Sequence, residues 1–129
     1  MTAPTRTFLH NVNLLVADVD AARAFYENVF GLTLDTQRSA PPAMLLLRGE
    51  GGPSLSLKAR ATEDADKRAG PGDIELGFWA ADLEGCHARL SRYGVHLTPI
   101  LSMGFGRTFD AQDLDGHHLA VYELAAENR

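Results

Sequence analysis

The side chains of this sequence that could do chemistry fall into three groups. His10, Asn11 and Asn13 form the first, Glu75 and Trp79 the second, and His117, His118 and Tyr122 the third. Imidazole and carboxylate groups can carry protons or ligate a cation, amides orient polar groups, and aromatic rings offer flat apolar faces. Spacing decides which of them can act together. On a strand, every second side chain shares a face. Asn11, Asn13 and Leu15 would therefore lie together, as would Glu75, Gly77 and Trp79, and His118, Ala120 and Tyr122. Met103 and Phe105 are expected nearby on a glycine-flanked loop. Such a set could hold a divalent cation through nitrogen and oxygen donors. It could equally clasp a small molecule between rings, with amides and a carboxylate setting its orientation. Cys86 is the only cysteine, which excludes an intrachain disulfide and a thiolate zinc cluster.

The elements that must position these residues are written twice. Val12 to Val16 alternates in the period of a strand. Ala17-Asp18 and Asp20 follow, and either aspartate can cap the helix that runs to Phe30. Ala22, Phe25, Tyr26, Val29 and Phe30 make an apolar stripe on that helix, and Gly31 supplies a left-handed stop. The same order recurs from Ile74 through Trp79, Asp82 and Leu83 to Tyr93 and Gly94. Asp18 and Asp82, like Gly31 and Gly94, keep an almost constant offset, as expected of two copies of one unit. Three short strands follow each helix: 33–38, 43–48 and 54–59, then 95–102, 107–112 and 117–123. Pro41-Pro42, the glycine-rich run 49–53, and Asp113-Leu114-Asp115-Gly116 form the breaks. The fold class expected is α+β, two βαβββ modules in tandem. Module one spans 8–60, a polar linker 61–72, and module two 73–124, within a single domain of 1–129.

Composition narrows the partners. The 12 Lys and Arg are scattered in a chain of formal charge −5, so a nucleic-acid surface is not expected. No apolar run approaches the roughly 18 residues that span a bilayer. With no signal-peptide core at the N-terminus and one cysteine, a cytoplasmic location is expected.

The opening Val16-Ala17-Asp18-Val19-Asp20, then Ala24-Phe25-Tyr26 and Phe30-Gly31-Leu32, resembles the start of the vicinal oxygen chelate superfamily. This is the group of glyoxalases, bleomycin-resistance proteins and extradiol dioxygenases. The closing Asp113-Leu114-Asp115-Gly116-His117 is similar to that family's Asp-Pro-Asp-Gly-Asn turn, with leucine for proline. The resemblance implies curved mixed half-barrel sheets around a cavity, usually completed across a homodimer. In the metalloenzymes of the family it also implies ligands on the inner faces of the first and last strands of each half, usually two His, a Glu and a further His, Gln or Glu. Carried over onto this chain, the first ligand position falls on Asn11, the third on Glu75 and the last on Ala120. The strand 54–59 offers no His, Gln or Glu. His10 is one residue out of step and would point away. Only Glu75 fits, and a catalytic divalent ion needs three or four protein ligands.

The cavity that remains would take a small molecule with no metal, in the manner of the bleomycin-resistance branch. Its ligand-binding residues are Asn11, Asn13, Glu75, Trp79, Met103, Phe105, His118 and Tyr122, while Gly77 and Ala120 leave room. The ligand expected is aromatic or hydrophobic, and Trp79 could bind it or pack the core. Phe78 and Phe109 should be core. His117 should be solvated beside its turn, and His87 and His96 structural or exposed. Glu75 could be a vestigial metal position, a counter-ion or a general base raised by burial. The alternative is a glyoxalase-type lyase or extradiol-type dioxygenase working through an irregular divalent-metal site or through Glu75.

Overall fold

The computed structural model describes residues 9–63 and 74–124. Five elements come first: β1 (Asn11–Val16), α1 (Val19–Phe30), β2 (Thr33–Leu34), β3 (Met44–Arg48) and β4 (Ser54–Ala59). After a 3-10 turn at Arg60–Thr62 come β5 (Glu75–Trp79), α2 (Leu83–Ser91), β6 (Leu101–Met103), β7 (Gly106–Gln112) and β8 (His118–Leu124). They make two four-stranded sheets of the same topology, β1-β4-β3-β2 and β5-β8-β7-β6. In each, the first strand pairs parallel with the last and the other pairings are antiparallel. The fold is α+β, with the duplicated order expected from the sequence. Most of the segment 61–72 expected to link the halves lies outside the described residues.

Local chemistry explains the helix ends. Asp18, rather than Asp20, is the α1 cap: its Oδ1 accepts from Ala21 N at 3.1 Å. Asp82 does the same for α2 through Gly85 N at 3.0 Å. Gly31 closes α1 with φ 70°, a left-handed conformation that costs a Cβ-bearing residue energy.

Two expected strands are shorter. The stretch 33–38 is strand only at Thr33–Leu34, because Asp35 Oδ1 turns back to accept from the backbone of Gln37 and Arg38. The stretch 95–102 is strand only from Leu101. Before it, Leu97 makes an isolated bridge to Ala111, and Thr98 and Asp110 exchange backbone and hydroxyl hydrogen bonds. Pro99 cannot donate to a continuing ladder.

The helices lie between the sheets. Leu14, Val16, Leu45, Leu47, Leu55 and Leu57 of one sheet share a single buried cluster with Phe109, Ala111, Leu119 and Val121 of the other. The α1 stripe fills that cluster, with Phe25, Tyr26 and Val29 fully buried. Across the middle, the Phe30 and Phe78 rings stack at 4.0 Å between centroids, and Phe25 meets Tyr93 edge-on at 5.0 Å. Phe78 and Phe109 are core residues, as expected. The two sheets therefore meet through their helix-covered faces, and their other faces turn away from the shared core.

Candidate functional site

Both outward faces follow from the strand registers. On the first sheet, partnered residues form the rows Asn11–Ser54, Asn13–Ser56–Leu46 and Leu15–Lys58–Met44. The two serines are buried, and both hydroxyls donate to Asn11 Oδ1, at 2.7 and 3.0 Å. Asn11 Nδ2 in turn donates to Asn13 Oδ1 at 2.9 Å. Beyond Asn13 lies a shallow groove of about 280 Å³ lined by Asn13, Leu15, Lys58 and Glu63. Lys58 Nζ stands 3.0 Å from Glu63 Oε2 there.

On the second sheet the rows are Glu75–His118–Gln112, Gly77–Ala120–Asp110, and Trp79–Tyr122–Thr108–Leu101. Glu75 and His118 are direct cross-strand neighbours, which the spacing alone did not reveal. The Tyr122 ring leans over Gly77, where a Cβ would lie 3.5 Å from Tyr122 Cε1. Gly77 thus opens room that a side-chain-bearing residue would fill. Trp79 is 53% exposed beside Tyr122. Trp79 is not plugging the core; its indole is on the surface. Met103 ends β6 opposite Gly106 rather than sitting in a loop, and Phe105 lies on the turn that follows. Both are partly exposed, as is Leu101.

The residues singled out from the sequence therefore separate into two sets. Asn11 and Asn13 share one sheet; Glu75, Trp79, Met103, His118 and Tyr122 share the outward face of the other. The groove at Lys58 draws on the first sheet and the Glu63 segment alone.

Sequence reasoning missed a third cluster. Asp113, buried in the β7–β8 turn, accepts from Tyr26 Oη at 2.7 Å, from the backbone of Asp115 and His117, and from His117 Nδ1 at 2.7 Å. Asp115 Oδ1 accepts from Ala17 N at 2.9 Å. His117 is therefore not solvated as expected: its side chain is 13% exposed, because the turn folds it back onto Asp113. Burial alone would raise the Asp113 carboxyl. Hydrogen bonds from His117 and Tyr26 outweigh it and hold the group below the ordinary carboxylate value. Tyr26 is pushed far up, by burial first and by Asp113 second. Asp113, Asp115 and His117 bring ligand-type atoms within 4.8 Å of one another. Both Asp113 oxygens, Asp115 Oδ1 and His117 Nδ1 are nevertheless engaged with internal partners, so the cluster works as a clasp between the turn, α1 and the end of β1. The paired Asp-x-Asp-Gly turn and the Phe-Tyr of α1 were the signals that could have predicted it.

The sequence profile of the Glyoxalase/Bleomycin resistance protein/Dioxygenase superfamily matches residues 8–121. The chain belongs to this superfamily. Solved structures agree at the level of fold. A glyoxalase/bleomycin resistance protein/dioxygenase family enzyme from Burkholderia phytofirmans PsJN superposes with TM-score 0.79 at 18% identity, covering 92% of this chain and all of that one. TnmS3, an antibiotic binding protein from Streptomyces sp. CB03234, gives 0.74 at 21% identity, covering 95% and 100%. A lactoylglutathione lyase from Agrobacterium tumefaciens gives 0.67 at 21% identity, covering 93% and 96%. No curated protein matches the sequence.

Superfamily membership makes the donor set at the ligand positions decisive for a metal. Asn11 offers an amide oxygen that already accepts two serine hydroxyls. Strand β4 offers two serines and Lys58 on this face, the last a cation beside Glu63. Ala120 offers no donor atom, which leaves the Glu75 carboxylate. These residues do not fit the metal of the superfamily's metalloenzymes.

Proposed function

We propose that this protein binds an aromatic or hydrophobic small molecule without a metal, in the manner of the bleomycin-resistance branch. One observation carries the reading. Exposed Trp79 and neighbouring Tyr122 form a row of rings beside the opening at Gly77 and Ala120, two rows from the Glu75–His118 pair. Ring faces supply affinity, the small residues supply space, and the polar pair orients. The antibiotic-binding TnmS3 shares the fold, which fits the same use.

The complete site needs the two outward faces opposite each other, and within one chain they turn away from the common core. A second copy is the natural partner. Lys58 and the amides of one face would meet Glu75, Asp110, Trp79 and Tyr122 of the other across a symmetric interface, covering exposed Leu101 and Met103. Two sheets with open edges at β1 and β5 favour this.

A thermal-shift screen of aromatic compounds in the presence of chelator tests the binding reading. The expected result is a set of hits that raise Tm in the native protein and lose their effect in Trp79→Ala. A screen with no stabilising compound contradicts it.

The cross-strand placement of Glu75 against His118 favours a second reading, a metal-free acid–base enzyme in which this pair moves a proton. Loss of turnover in both Glu75→Gln and His118→Ala, with ligand binding retained, is its signature.

A further inference from the structure

The hydrogen-bond inventory of the first outward face is unbalanced. Ser54 and Ser56 are buried, and their hydroxyl hydrogens are directed at Asn11 Oδ1, whose two lone pairs are then used. One Asn11 N–H goes to Asn13 Oδ1, which orients the Asn13 amide with its oxygen inward. Among the described residues, the network leaves the second Asn11 N–H and both hydrogens of Asn13 Nδ2 uncommitted, while the lone pairs still open belong to the buried serine hydroxyls and to the Asn13 oxygen turned toward Asn11. The groove beyond adds the Lys58 ammonium, about one-third exposed and 3.0 Å from the Glu63 carboxylate. The face's other cation is already committed, since Arg48 Nε donates to Asp35 Oδ2 at 2.8 Å. Leu15 supplies the apolar wall. A groove that presents amide hydrogens and a cation, its one lining carboxylate paired with that cation, favours an acceptor over a donor, because a mismatched group is left desolvated and unpaired.

We propose that the ligand carries an anionic oxygen, as a carboxylate or phenolate on an apolar scaffold, and that Lys58 and Asn13 anchor it while Glu63 competes with it for Lys58. This runs against the acidity of the whole chain, whose net charge of −5 would favour a cationic ligand. Local donors outweigh that distant field, which salt screens over about 8 Å at physiological ionic strength. The proposal rests on the small-molecule reading above and specifies its ligand class.

Calorimetric titration of the full-length protein with three matched probes tests it: 2-naphthoate, 2-naphthamide and 2-naphthylmethylammonium. The expected order is naphthoate tightest by about tenfold over the amide, the ammonium compound weakest. Lys58→Gln is expected to erase the preference for naphthoate while leaving the amide's affinity in place. Glu63→Gln, which releases Lys58, is expected to tighten naphthoate, and it keeps the test informative if Lys58→Gln does not fold. Equal binding of all three probes overturns the anchor and leaves the small-molecule reading standing. Preference for the ammonium compound overturns it in favour of an acidic site at Glu75. Binding of none of the three overturns the anchor together with the reading beneath it.

Discussion

Asp113 shows how a single residue can be legible in type and hidden in role. Its aspartate-glycine turn is plain in the sequence, yet its partner Tyr26 lies far away on α1, and no spacing rule connects them. His117 reads as a surface histidine for the same reason, since only the folded turn brings Nδ1 onto Asp113. The energetic consequence is specific. Asp113→Asn strips the charge from a carboxylate serving four donors and should cost about 1–3 kcal/mol, measured by urea unfolding. Tyr26→Phe should cost about 1 kcal/mol by removing one donor while keeping the ring. The pH dependence has a definite sign. The folded carboxyl sits below its unfolded value, so its contribution is complete above the ordinary carboxylate range and is lost as pH falls through the depressed folded value. Asp113→Asn should therefore flatten the acid limb of a stability–pH profile. An acid limb unchanged by the substitution would remove Asp113 as its source.

Elements were the most readable part of the chain, and the reasons are local. Capping by Asp18 and Asp82, the apolar stripe of α1 and the left-handed Gly31 are all near-neighbour chemistry. Where an element depends on remote pairing the sequence says less. Strand β2 stops at Leu34 because Asp35 starts a turn, and β6 begins only at Leu101, after Pro99. Gly31→Ala tests the local account. No atom lies within 4 Å of the position a Cβ would occupy, so any loss comes from the backbone conformation alone. About 1–2 kcal/mol of destabilisation is expected; no loss would mean that the helix end relaxes without cost. Phe78→Ala probes the contact between the two units. Removing the ring stacked on Phe30 should cost about 3 kcal/mol in thermal or urea unfolding.

Taken as a whole, the molecule is two similar sheets joined back to back through their helices, with both candidate binding faces directed outward. The faces themselves were legible, because period-two alternation placed Asn11 with Asn13, Glu75 with Trp79, and His118 with Tyr122. Their arrangement was not. Which face meets which depends on how α1 and Phe78 pack, and that is information carried by three-dimensional contact. The proposed homodimer is the way to close the proposed site. Light scattering behind size exclusion should give twice the 14.0 kDa of one chain, and Trp79→Glu, which places a charge on the proposed interface, should shift it toward monomer. A native mass of one chain would contradict the shared site.

The proposal of metal-free binding rests most directly on the donor set at Asn11, Ser54, Ser56, Glu75 and Ala120. The most direct measurement is calorimetric titration of chelator-treated protein with a hit compound from the aromatic screen, repeated after adding Zn, Mn, Fe or Ni. The same affinity in every titration, with no ion retained after dialysis, is the expected result. Binding that appears only with one of these ions, held at about one per chain, would contradict it and return the glyoxalase-type or dioxygenase reading to first place.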